Sequence, residues 1–80
     1  MQKRVVDSRG SLSPGPLTDL SKAYRAANLG DVVEVWATDP TAKSEIQAWA
    51  MRTGNEILEI ADEEDYARIV VQVTKKQGTP

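Results

Sequence analysis

The stretch Asp7-Ser8-Arg9-Gly10-Ser11-Leu12-Ser13-Pro14-Gly15-Pro16 joins a strand-ending turn to a proline-opened helix. Val5 and Val6 precede it, in a run from Lys3 to Asp7 that reads as a first strand closed by the Arg9-Gly10 turn. Proline suits the first helical position, because its missing N–H would have had no partner there and its fixed φ is already helical. Pro14 is therefore placed at that position and Ser13 at the cap before it, where a serine hydroxyl is preferred. The N–H groups that follow, from Gly15 and Leu17 onward, are expected to point toward Ser13 at the positive end of the helix dipole. Such a place stabilises an anion. A hydroxyl makes little use of it, whereas a cysteine thiol there would have its pKa drawn from ~8.5 to below neutrality.

Working outward, the helix is expected from Pro14 to about Leu29, with Leu17, Leu20, Tyr24 and Ala27 at helical spacing and Thr18, Asp19, Lys22 and Arg25 mainly opposite. Gly30 stands where a left-handed C-terminal cap is wanted. Asp31 to Thr38 reads as a second strand, with Val33, Val35 and Ala37 on one face and Val32, Glu34 and Trp36 on the other. Asp39-Pro40-Thr41 signals a second helix capped by Asp39 or Thr41, running to Thr53 and stopping at Gly54. Its inward residues are Ala42, Ile46, Trp49, Ala50 and Thr53. A third strand spans Asn55 to Ala61 and a fourth Tyr66 to Thr74, whose Ile69, Val71 and Val73 face the core while Arg68, Val70 and Gln72 alternate with them. The order βαβαββ needs right-handed crossovers, which put both helices on one face of a sheet whose first three strands share a direction. A final hairpin returns the fourth strand antiparallel. The expected fold is a two-layer α/β (α+β) sandwich of two helices on a mixed four-stranded sheet, with the second face open.

Eighty residues make one small domain. A chain of this size buries only about 60% of its unfolded surface, so the core is thin. The domain is placed at residues 1–76; Lys75 to Pro80 is a polar tail, with 77–80 expected to be disordered. No run approaches the 18 or so apolar residues of a membrane span, and Met1-Gln2-Lys3-Arg4 leads into a strand, so the protein reads as cytoplasmic. Zero cysteines exclude disulfides, thiolate metal sites and thiol catalysis in the chain as it stands. Zero histidines remove the usual general base and the commonest metal ligand, so no Ser-His-Asp triad can be assembled. No metal and no cofactor are expected. A net charge of −2 speaks against general nucleic-acid binding, which wants a basic face.

The pattern Asp-x-Arg-Gly-x-x-Cys-Pro-x-Pro is similar to the signature of the TusA/SirA-like sulfur-carrier family, and Asp7, Arg9, Gly10, Pro14 and Pro16 stand in its register. The resemblance continues through Leu17, Gly30, the Thr38-Asp39-Pro40 turn, Trp49 and Gly54, nearly the whole chain. It implies a fold like the C-terminal domain of bacterial translation initiation factor three, with strand order 1-2-4-3. The departure falls on the residue that does the chemistry: the family's sulfur-bearing cysteine is Ser13 here. Family likeness implies a relay of sulfane sulfur, as persulfide or thiosulfonate, through a thiol at position 13. A cysteine desulfurase, rhodanese or DsrE-like donor would load it, and an acceptor protein would remove the sulfur. The endpoints the resemblance allows are tRNA thiolation, molybdenum-cofactor assembly and sulfur oxidation. Such a carrier is a sulfurtransferase component rather than a stand-alone enzyme, and is expected to be monomeric.

Serine can neither take up nor exchange sulfane sulfur, so the chain as written is expected to be inert in transfer. The serine is read as an engineered replacement of cysteine; the alternative is a natural cysteine-free paralogue serving as a non-catalytic protein-binding or regulatory domain. Around Ser13 the framing residues are Asp7, Arg9, Gly10, Pro14, Gly15 and Pro16. Asp7 and Arg9 are either the turn and solvent charges that end the first strand or an ion pair with Arg9 near the transferred anion. Gly10 serves a positive φ. Trp36 is ordinary partly covered surface or a partner anchor on the open face. Trp49 reads as core. Asp62-Glu63-Glu64-Asp65 lacks the alternating ligands and glycine of a calcium loop and reads as a solvated hairpin turn. Lys22, Arg25 and Arg52 form a basic rim or an ordinary helix surface. RNA binding on the open face has only fold analogy behind it.

Overall fold

In the computed structural model, which describes residues 1–76, six elements follow one another as β1 (Lys3–Ser8), α1 (Gly15–Ala26), β2 (Val32–Ala37), α2 (Ala42–Thr53), β3 (Glu56–Asp62) and β4 (Ala67–Gln72). The tail expected over 77–80 lies outside the described residues. The sheet order is β1-β2-β4-β3, with β1 parallel to β2 and β4 antiparallel to both of its neighbours. β1, β2 and β3 thus run one way and β4 returns between β2 and β3. A bulge falls between Ile57 and Glu59, leaving Leu58 out of register on the edge strand.

Period-two alternation carries one face of the sheet into the core. Val33 and Val35 are fully or almost fully buried with Ile69, Val71 and Val73, and α1 and α2 cover them with Leu20, Tyr24, Ala27, Ile46, Trp49 and Ala50. Tyr24 and Trp49 meet edge to face, ring centres 5.1 Å apart, which ties the two helices together. Trp49 is core as expected. The inward residues anticipated for α2 are all buried, and the helix ends on Gly54 at φ 78°.

Two expectations about α1 fail. The helix ends at Ala26 rather than near Leu29, because Ala27 is extended; Lys76 Nζ, at 2.9 Å from the Ala27 carbonyl, and Arg4, at 3.2 Å from the Ala26 carbonyl, supply cations to that end. Gly30 does have positive φ, 91°, but it is no helix cap: its N–H donates to the Val73 carbonyl at 2.8 Å and turns the chain into β2.

The second face carries no helix, yet it is not bare. Arg68 bridges Glu59 and Glu63 at 3.0 Å each and lies 4.0 Å from Glu34, which also pairs with Lys3 at 2.8 Å. Under that network Glu34 and Val70 are 6% and 8% exposed, as little as many core residues. No helix among the described residues is long and apolar enough to cross a membrane.

Candidate functional site

The segment between β1 and α1 is held by bonds that reach across the fold. Gly10, at φ 84°, sends its N–H to Thr38 Oγ1 at 2.8 Å, and Ser13 N–H donates to Asp39 Oδ2. Asp39 also accepts from Thr41 N–H and Oγ1 at 2.8 and 2.7 Å. These bonds, Thr41's first and Ser13's last, hold the Asp39 carboxyl below its ordinary value. The two loops at the C-terminal ends of the parallel strands are thereby joined into one surface. Position 13 is exposed on it, with Leu12 beside it at 78% exposure.

Ser13 does not cap α1. The cap position is taken by Pro14, joined to Ser13 by a cis peptide bond, and no side chain bonds to the helix start. Gly15 N–H is already given to the Leu12 carbonyl at 2.7 Å, while Pro14 and Pro16 have none to offer. A capping oxygen thus finds little to bind. The Ser13 hydroxyl instead donates to Glu45 Oε2 at 2.7 Å, across to the first turn of α2. Glu45 Oε1 is buried without a hydrogen-bond partner. The donor-rich cradle expected around position 13 is therefore reduced, and carboxylates stand on the other side of it. On α2, Thr41 holds the cap position without a side-chain bond to the helix, and Asp39 makes the turn before it.

Several framing residues serve the backbone. A Cβ at Gly15 would lie 2.9 Å from Ser11 Cβ, closer than side chains pack, so this place wants glycine. Pro16 is buried in α1. Asp7 and Arg9 do form an ion pair, with Nε and Nη2 each 2.8 Å from the carboxylate, and Arg9 pulls the Asp7 carboxyl down to about 2. Its guanidinium lies 5.1 Å from the Trp36 ring centre and 5.5 Å from that of Tyr66. Trp36 packs on Tyr66 at 5.4 Å and gives its N–H to Glu34 at 2.7 Å, so this half-buried indole is covered from within the chain.

The remaining candidates separate. Glu63 N–H closes the acidic hairpin on the Tyr66 carbonyl at 2.8 Å, Asp62 pairs with Lys43 and Glu63 with Arg68. Among the described residues no group of three or more acids is placed to hold a metal ion. Lys22, Arg25 and Arg52 are exposed, and only Arg25 lines the groove between the helices that Tyr24, Trp49 and Thr53 floor. Glu45, Asp39 as a partner of position 13, and buried Ser8, whose hydroxyl donates to Asp19 at 2.8 Å, escaped the sequence reading. Asp39 and Glu45 bracket the start of α2, the one local signal that an acid would face the neighbouring helix mouth.

The sequence profile described as Sulfurtransferase TusA matches residues 4–73. A candidate sulfur carrier protein of Archaeoglobus fulgidus is 44% identical over 71 residues, 89% of this chain and 97% of that protein. The sulfur carrier protein TusA of Allochromatium vinosum is 36% identical over 58 residues, covering 72% of this chain and 76% of the relative. A crystal structure of a SirA-like protein from Desulfitobacterium hafniense superposes with a TM-score of 0.78 at 19% identity, covering 94% of this chain and all of the other. That likeness shows the fold.

Proposed function

This chain belongs to the TusA sulfurtransferase family, and from that membership we propose that it has the build of a sulfur carrier whose sulfur-bearing position is 13, occupied by serine. The observation that carries the reading is the exposed side chain at position 13 on the mouth of α1, open to a docking protein; Asp7, Arg9, Gly10, Pro14, Gly15 and Pro16 are the residues we propose to frame it. With cysteine there, its sulfur would attack the terminal sulfur of a donor persulfide. The new S–S bond forms at position 13 as the donor's bond to that sulfur breaks, and the donor leaves as thiolate. An acceptor protein reverses the sequence. A cysteine desulfurase, rhodanese or DsrE-like protein would act as donor, in the cytoplasm, and tRNA thiolation is one endpoint of such a relay. Serine, whose hydroxyl stays protonated at cellular pH, supports none of these steps, so the molecule is a carrier without its sulfur atom.

The test is Ser13→Cys incubated with a cysteine desulfurase and free cysteine. Intact mass should rise by one sulfur atom, reversibly on reduction. Absence of the adduct under conditions that load another family member sinks the carrier reading.

One observation favours a second reading. The Ser13 hydroxyl already has a well-placed acceptor in Glu45, at 2.7 Å, as a native serine would. On this reading the chain is a natural cysteine-free paralogue acting as a protein-binding domain. The codon at position 13 of the source gene decides between them: cysteine supports the carrier, serine the binding domain.

A further inference from the structure

We infer that Glu45 is a positioning residue that sets the protonation state of the side chain at position 13, holding it as a neutral hydrogen-bond donor rather than an anion. The inference rests on position 13 being the sulfur-bearing position, but it concerns only the proton there. An ionised carboxylate can accept and cannot donate, so a group 2.7 Å from Glu45 Oε2 must bring the hydrogen itself. A hydroxyl or a thiol satisfies this; a thiolate in the same place would meet like charge.

The surroundings add to the effect. Asp39, from the loop ahead of α2, brings a second carboxylate to the same residue by accepting Ser13 N–H. On the α1 side the donors are few, since Pro14 and Pro16 carry no N–H, Gly15 N–H is spent on Leu12 and Thr18 N–H on Pro14, which leaves Leu17 N–H in the first turn. Of the cations on the flanking segments, Lys43 pairs with Asp62 and Arg9 with Asp7. Glu45 Oε1, buried and without a hydrogen-bond partner, leaves no donor to offset the charge on that side of the carboxylate. The helix mouth alone would favour a thiolate; the carboxylates facing it reverse the sign.

Because the chain has no cysteine, Ser13→Cys introduces a single thiol whose alkylation by iodoacetamide can be followed against pH by mass spectrometry. Its midpoint is expected above the ordinary ~8.5, and Glu45→Gln in that background should bring it down by roughly one unit, about tenfold more thiolate near neutrality. Circular dichroism confirms that both proteins are folded. In Ser13→Cys alone, raising the salt concentration should lower the midpoint, since screening weakens the repulsion. A midpoint at or below the ordinary thiol value, one indifferent to Glu45→Gln, or one that does not fall with salt overturns the inference. Sulfur loading is not part of this readout, so failure to form a persulfide with the raised midpoint intact would count against the carrier reading alone.

Discussion

Replacing Asn55 by alanine should cost the fold about 3 kcal/mol, although Asn55 touches no proposed site residue. Asn55 is 8% exposed and follows the left-handed Gly54 that ends α2. Its Oδ1 accepts from Thr74 N–H at 3.0 Å and Lys75 N–H at 3.1 Å, and its Nδ2 donates to Thr53 Oγ1 at 2.9 Å. Thr53 in turn donates to the Trp49 carbonyl at 2.7 Å. One side chain thus links the end of α2, the start of β3 and the chain after β4. Three hydrogen bonds at about 1 kcal/mol net each make up the estimate, and two backbone N–H groups lose their acceptor. A chain of this length has roughly 4–12 kcal/mol in total, so the loss is a large share. With an m-value of about 1 kcal/mol/M, the urea midpoint followed by far-ultraviolet circular dichroism falls by about 3 M. Amide exchange should accelerate first at Thr74 and Lys75. A loss below about 1 kcal/mol, or unchanged exchange at those two amides, refutes the reasoning.

Asp31, 3% exposed, accepts from Asn28 N–H and Gln2 N–H at 2.9 Å each, and these bonds, Asn28's first, hold its carboxyl below the ordinary value. Its contribution is present in full above the unfolded value of about 3.9 and is lost as pH falls through the lower folded value. Asp31→Asn should therefore flatten the loss of stability on acidification, measured as urea midpoints between about pH 6 and about pH 3; an unchanged slope counts against it. Ser13→Ala should cost about 1 kcal/mol by urea titration, through the lost hydrogen bond to Glu45 Oε2 and not through a cap; a loss below about 0.3 kcal/mol counts against that bond.

Much of the fold could be read locally because burial here follows simple periods. Leu20, Tyr24 and Ala27 recur at helical spacing, while Val33, Val35 and Ala37 and then Ile69, Val71 and Val73 recur every second residue, and all are buried. Gly54 announced the end of α2 through a conformation that side chains resist. The strand order 1-2-4-3 was carried by family resemblance, and the observed sheet has it. The bulge at Leu58 shows only as a broken period: Ile57 and Ile60, three residues apart, pair with Val71 and Ile69 on one face, which an unbroken strand would not allow.

The candidate site was legible as a position but not as an environment. Asp7 to Pro16 marked where an exposed side chain would stand, and local capping rules then misplaced its hydrogen bond. Those rules count only neighbours along the chain, whereas the Ser13 hydroxyl found a carboxylate 32 residues away. The same holds for Asp31 reaching Gln2 and for Asn55 reaching Thr74. By itself the sequence determined the order of elements, their buried faces and the surface position of residue 13, because short-range sterics and periodic burial govern all three. The tertiary structure alone decided which polar groups meet. Electrostatics at a point depends on which charges are brought within a few ångströms, and it is the place of α2 against the mouth of α1 that brings the Glu45 carboxylate to position 13.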